Sequence, residues 1–167
     1  MKLRFLKRFE QLMLYTGVIL IGILLDQLTK WLAVRFLLPI DTCPIINDVL
    51  HLTYAENRGA AFGILSNDRW VFMLFSSVMI VALLVYLFYP KKQATQLFSV
   101  GVAMVVSGGI GNMIDRVVLG YVVDFLNFEL INFAIFNVAD SFVCVGAGLM
   151  VLSLILEIIK EAKDKKI

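Results

Sequence analysis

Charge is scarce in this chain. Only 17% of its 167 residues are Asp, Glu, Lys or Arg, against about a quarter in a soluble domain. With 60% of the residues hydrophobic and a mean hydropathy of +0.89, the excess apolar surface needs lipid. Net charge is +2, so no nucleic-acid partner is expected. Cysteine is limited to Cys43 and Cys144 and histidine to His51. Two cysteines make no disulfide framework, and both read as free thiols. One histidine leaves no zinc-ligand spacing, so neither a metal nor another cofactor is expected. Cys43 and His51 share a loop, but nothing else in the sequence supports a thiol–imidazole pair. Internal repeats and low-complexity tracts are absent. That speaks against a small proton-coupled transporter, which often carries an inverted repeat.

Four apolar segments approach the roughly 20 residues needed to cross a bilayer. They run over about 12–34, 70–89, 97–114 and 135–156. The expected fold is therefore all-α: a single membrane domain over 1–167 with four transmembrane helices. The polar stretch 35–69 contains Pro39, Pro44 and Gly59, and its middle, Val49 to Tyr54, is β-prone. A small sheet on the membrane surface is expected there. Residues 90–93 read as a short turn, and 115–134 as a partly apolar interfacial loop. The basic N-terminus followed by Leu12 to Leu25 imitates a signal peptide. No small-residue cleavage site follows, so it reads as a retained first span.

Lys2, Arg4, Lys7, Arg8, Lys91, Lys92, Lys160, Lys163, Lys165 and Lys166 all fall on one side of such a bundle, which is 10 of the 15 basic residues. By the positive-inside rule both termini are cytoplasmic and the two longer loops face outward. Trp31 and Trp70 then sit near the outer interface.

At 1.5 Å per helical residue, Asp26 and Lys30 lie about 21 and 27 Å above Leu12, and Asn112 and Asp115 about 22 and 27 Å above Leu97. Asn137 and Asp140 lie about 3 and 8 Å below Ile135 on the descending fourth span. Three spans thus aim polar groups at the outer third of the bilayer. Asp26 and Lys30 are four apart and can pair on one helix face. Asn112, Asp115 and Arg116 read as one face of the third span, and Asn137 and Asp140 as i, i+3 on the fourth. Asp115 beside Arg116 reads as a structural pair or an interfacial phosphate contact. Gly108, Gly109 and Gly111 leave room for a neighbouring helix or a substrate backbone.

Unlike Asp26 and Asp115, Asp124 and Asp140 have no basic residue within four positions. A carboxylate at membrane depth costs several kcal/mol and marks a functional site or a partner. Two converging carboxylates can share one proton and activate water. The candidate activity is intramembrane aspartyl hydrolysis. A purely structural subunit has no use for two unpaired acids, and a presenilin-like protease would need a Gly-x-Gly-Asp phrase that is missing here.

Five motifs occur in order: Asp26-Gln27-Leu28-Thr29-Lys30, Asn57-Arg58-Gly59-Ala60-Ala61-Phe62, Gly108 to Arg116, Val122-Val123-Asp124-Phe125 and Phe136-Asn137-Val138-Ala139-Asp140. Together they resemble the bacterial lipoprotein signal peptidases, the type II signal peptidases. The resemblance implies a four-span aspartyl endopeptidase of the inner membrane with an extracytoplasmic β-sheet cradle. Its substrate would be a prolipoprotein whose cysteine already carries diacylglyceryl, cut just before that cysteine. Asp124 and Asp140 would form the catalytic dyad near the outer leaflet. Asn57, Asn112, Arg116 and Asn137 would hold substrate and dyad, with Asp26, Lys30, Gly108 and Asp115 in support. Membrane lipid surrounds such an enzyme, globomycin would inhibit it, and a monomer would suffice.

Overall fold

The computed structural model describes residues 2–59, 69–89, 95–131 and 133–165. The expected turn at 90–93 and the loop from 60 to 68 lie outside them. Helix α1 (Lys2–Phe36) leads into strands β1 (Thr42–Ile46) and β2 (Leu50–Asn57). Then come α2 (Arg69–Phe88), α3 (Gln96–Val118), β3 (Val122–Asn127), a 3-10 turn (Glu129–Ile131) and α4 (Val138–Asp164). Among the described residues three helices are long and apolar enough to cross a membrane: Leu6–Phe36, Gln96–Val118 and Val138–Asp164. The described apolar stretch of α2, Met73–Phe88, is shorter. The fold is mostly helical, with one small antiparallel sheet in the order β1-β2-β3.

Helix α3 is the hub of the bundle. Its side toward α4 is stripped of bulk: a Cβ on Gly101 would stand 2.6 Å from the Gly146 carbonyl oxygen, and one on Gly108 would collide with that of Ala139. The helix backbones therefore touch, which suits lipid, where close packing rather than water release drives association. Tyr15, Ile19, Leu87, Val102, Ala103 and Val106 fill the centre of the bundle. A second core, Ala33, Leu37, Val123 and Phe125, clamps the end of α1 against the sheet. The polar residues lie between these two cores. At the opposite end, the Arg8 guanidinium donates to the carbonyls of Leu87, Phe88 and Tyr89 at 3.3, 3.3 and 3.2 Å. It thereby satisfies acceptors that the end of α2 leaves open.

The loop expected at 115–134 is more ordered than the sequence reading has it. Helix α3 runs on to Val118, and Gly120 at φ 88° turns the chain back. Both Leu119 and Gly120 donate their N–H groups to the Asp115 carbonyl, an ending that glycine permits at no steric cost. Val122–Asn127 then pairs with β2, Val122 opposite Asn57 and Asp124 opposite Ala55. A return segment closes the far edge: Phe125 and Leu126 donate to the Phe136 carbonyl at 3.0 and 2.8 Å. Asp124 thus stands on a strand fixed on both sides.

Candidate active site

Lys30 is buried, 3% exposed, at the level where α1, α3 and α4 meet. Its ammonium lies 2.9 Å from Asp26 Oδ2, 3.1 Å from Asp115 Oδ2 and 2.9 Å from Asn112 Oδ1. Three acceptors match its three protons. The expected Asp26–Lys30 pair is present. The expected Asp115–Arg116 pair is not: Asp115 turns to α1, while Arg116 donates to the Asn112 carbonyl at 3.3 Å and lines the cleft described below. Consecutive helix residues point about 100° apart, so these two cannot share a face.

The two acids in this cluster also hold backbone. Asp26 Oδ1 accepts the Ala139 N–H at 2.9 Å, in the first turn of α4, where a carboxylate also meets the positive end of the helix dipole. Asp115 Oδ2 accepts the Val123 N–H at 3.0 Å, one residue before Asp124. Gln27, which the sequence reading passed over, donates to Asp26 Oδ2, Asp115 Oδ1 and the Gly111 carbonyl. One buried cluster therefore anchors both segments that carry Asp124 and Asp140.

Asp124 and Asp140 are held by amides, not cations. Asn57 donates to Asp124 Oδ2 at 3.0 Å. Asn137 bridges the pair: its Nδ2 lies 2.6 Å from Asp124 Oδ1, and its backbone N–H donates to Asp140 Oδ2 at 3.1 Å. Asn137 is the N-cap of α4 with Asp140 in the reciprocal position of a capping box. Asn137 and Asp140 thus keep the expected i, i+3 spacing at the start of the fourth span, with Asn137 extended just ahead of the helix. Asn112 Nδ2 donates to Asp140 Oδ1 at 2.8 Å, while its Oδ1 accepts from Lys30 and from Asn137. An oxygen facing two donors cannot exchange places with its NH₂, so Lys30 and Asn137 together fix which end of Asn112 meets Asp140.

Asp124 is 2% exposed. Burial pushes its carboxyl up to about 6, and the nearby Asp140 charge adds to this, while the Asn57 and Asn137 amides pull the other way. Desolvation and a like charge both favour the protonated form.

Both acids open into a cleft of about 870 Å³. Asn57, Arg58, Asn112, Arg116, Asp124 and Asp140 line its polar side, and Phe133 to Phe136 and Val143 to Val145 its apolar side. Asp26, Lys30, Gly108, Asp115 and Asn137 are not in the lining. Gly108 serves helix contact, since the Ala139 backbone occupies the space beside it. At the rim, Arg58 pairs with Glu56 at 2.8 Å and lies 5.5 Å from the Tyr121 ring centroid. The signal for Arg58 and Gln27 was their place inside quoted motifs, whereas Glu56 and Tyr121 gave none. Cys43 and Cys144 are free. His51 does not join Cys43, because its Nε2 faces Glu129 Oε2 at 3.2 Å. Among the described residues no cluster of three or more His, Cys, Asp or Glu is placed to hold a metal.

Apolar helices around a cleft with two amide-held carboxylates define the class: a multi-pass membrane protein with the furniture of a hydrolase. A family model described as signal peptidase (SPase) II matches residues 18–156, and the chain belongs to that family. It is 43% identical over 157 residues to the lipoprotein signal peptidase of Halalkalibacterium halodurans, covering 92% of this chain and 99% of that one. It is 46% identical to the lipoprotein signal peptidase of Clostridioides difficile, over 80% of this chain and 89% of that one. Among solved structures it is similar to a bacterial membrane enzyme determined by the in meso method at 2.3 Å, with a TM-score of 0.75, 31% identity and coverage of 86% of this chain and 88% of that one. The chain is thus a bacterial membrane peptidase by family.

Proposed function

We propose that this chain is an aspartic endopeptidase that removes the signal peptide from diacylglyceryl-modified prolipoproteins, cutting just before the lipidated cysteine. The observation that carries the reading is the bridge of Asn137 between Asp124 and Asp140 at the polar end of the cleft. Two carboxylates sharing one set of amides cannot both ionise cheaply, so the dyad holds one proton. The ionised member takes a proton from water as the water oxygen bonds to the scissile carbonyl carbon. The protonated member donates to the carbonyl oxygen and stabilises the developing oxyanion. When the intermediate collapses, the C–N bond breaks. The departing amine of the cysteine then takes up the proton that the first carboxylate removed from water.

Asn57, Asn112 and Arg116 line the cleft and are proposed to hold the substrate backbone. The lipid of the substrate restricts it to the membrane and turns a dilute encounter into a positioned one. In this reading α2 completes a four-span bundle, both termini are cytoplasmic, and the cleft opens near the outer leaflet. A monomer suffices, and globomycin inhibits.

The test is a gel-shift cleavage assay with purified protein in liposomes containing metal chelator. Prolipoprotein is supplied with and without its diacylglyceryl group. The expected result is cleavage of the lipidated form alone, abolished in Asp124→Asn and Asp140→Asn, with both variants still folded. Turnover retained by either variant removes that residue from the dyad.

A further inference from the structure

His51 is the only histidine in the chain, and the chemistry above makes no use of it. It lies on β2 with its side chain 15% exposed. Its Nε2 atom is shut off from solvent and, among the described residues, makes no well-aligned hydrogen bond. It faces Glu129 Oε2 at 3.2 Å. Across the sheet, β1 sets Pro44 opposite His51 and β3 sets Asn127 there, and neither titrates. The charged group brought against the imidazole is therefore Glu129. Glu129 opens the 3-10 turn, which buries none of its residues, so packing does little to hold that turn in place. Beyond the turn, the Phe133 N–H reaches the Phe128 carbonyl only at 3.4 Å, and Phe133 lines the cleft. Phe136, by contrast, is pinned to β3 by three backbone hydrogen bonds. The His51–Glu129 contact thus ties the sheet to a loosely held turn, and the turn leads into a wall of the cleft.

We propose that His51 and Glu129 form a pH-sensitive latch on the cleft: the imidazolium holds the turn, and Phe133 behind it, against the sheet, and loss of its proton releases both. Histidine changes charge between pH 5 and 8, where a glutamate stays ionised, so the switching falls on the imidazole. A poorly aligned contact gives a neutral ring little to hold, whereas Coulomb attraction tolerates misalignment. Below about pH 6 both members carry charge and the latch is closed; toward pH 8 the cation is gone and the latch opens. The Glu129 side chain is 46% exposed, so solvent screens the pair. Its effect on the population of the released turn is therefore roughly two- to fivefold. In the proposed orientation the sheet faces outward, so the latch meets external pH. Its effect on turnover rests on the proposed function; the latch itself does not.

The experiment follows hydrogen exchange of the full-length protein in liposomes by mass spectrometry at pH 5.5 and pH 8, each corrected for the intrinsic rate of an unstructured chain. In wild type the amides of Glu129–Ile131 and Phe133 are expected to exchange roughly two- to fivefold faster at pH 8 than at pH 5.5. In His51→Gln and Glu129→Gln they exchange at that faster rate at both pH values. Glu129 is exposed, so its variant serves where His51→Gln fails to fold. Equal corrected rates at the two pH values in wild type, or a pH difference that survives in Glu129→Gln, overturn the latch. KM for lipidated prolipoprotein is then measured over the same range as the ratio of Glu129→Gln to wild type. Titration of the two acids in the cleft is common to both proteins and cancels. The ratio is expected to be roughly two to five at pH 5.5 and to fall to about one at pH 8. A ratio that does not change with pH overturns the control of the cleft. Absence of cleavage by folded wild type fells the proposed function and leaves the exchange measurement to decide the latch.

Discussion

Replacing Lys30 by methionine keeps the length and bulk of the side chain and removes one buried cation. Asp26, Lys30 and Asp115 have side chains 1%, 4% and 4% exposed, so water cannot replace the ammonium. Removing one member of a buried ion cluster costs about 3–5 kcal/mol, because a desolvated charge is left without a partner. For a chain of this size that corresponds to roughly 10 °C in the midpoint of thermal unfolding. The loss of stability alone would not separate a structural role from a positioning one. The triple variant Lys30→Met, Asp26→Asn, Asp115→Asn does. It is electrically neutral, so most of the stability returns. Asn112 Oδ1 then keeps only the Asn137 donor and loses the Lys30 one, so its NH₂ is held less firmly toward Asp140 and kcat stays depressed. The assay is thermal unfolding in detergent beside cleavage of lipidated substrate. A Lys30→Met protein that unfolds and cleaves as wild type does would refute the account of the cluster. A triple variant restored in both stability and kcat would refute the positioning of Asn112.

Three further outcomes are expected. Asn137→Ala removes the α4 cap and the bridge between the acids. It costs about 1 kcal/mol in thermal unfolding and about a hundredfold in kcat, and wild-type kcat would show that the bridge is dispensable. Gly108→Ala drives a methyl group into the Ala139 carbonyl beside Asp140, at a cost of about 1–3 kcal/mol, with cleavage falling in step; unfolding at the wild-type temperature would show that α4 can retreat freely. The third outcome concerns pH. The carboxyl of Asp124 is raised from 3.8 to about 6 on folding, so the folded state binds the extra proton and stability falls as pH rises between those values. Asp124→Ala, which lacks this group, should gain on wild type across that range by an amount on the order of 3 kcal/mol. A constant difference between the two midpoints of thermal unfolding would contradict it.

How much could be read from the sequence follows from the range of each interaction. The apolar helices were legible because lipid demands long uncharged runs, and hydropathy records that demand residue by residue. The Asp26–Lys30 pair was legible because both members lie on one helix, four apart. Strand β2 was legible through the β-prone run to Tyr54. Strand β3 was hidden: Val122 to Phe125 are buried throughout, so the alternation that marks a half-exposed strand is missing. Its partner residues lie more than sixty positions earlier. Arg116 and Asp115 adjoin in sequence, but the helix turns them about 100° apart, Asp115 toward Lys30 on α1 and Arg116 into the cleft.

The same reasoning explains why the acids stood out while their partners did not. Asp124 and Asp140 have no local cation, and their donors are amides brought from other elements: Asn57 on β2, Asn112 on α3 and the N-cap Asn137. An asparagine is a weak signal in sequence, since it serves equally in turns, caps and interhelical contacts. A neutral donor is nevertheless what a proton-sharing pair requires. A lysine in the place of Asn137 would stabilise both carboxylates as anions and empty the proposed dyad of its shared proton. The cation is kept one shell away, on Lys30, where it orients Asn112 and secures α4 and β3 through Asp26 and Asp115. In the proposed mechanism the missing local charges around Asp124 and Asp140 are part of the chemistry, because a pair neutralised by its neighbours in sequence could not hold the shared proton.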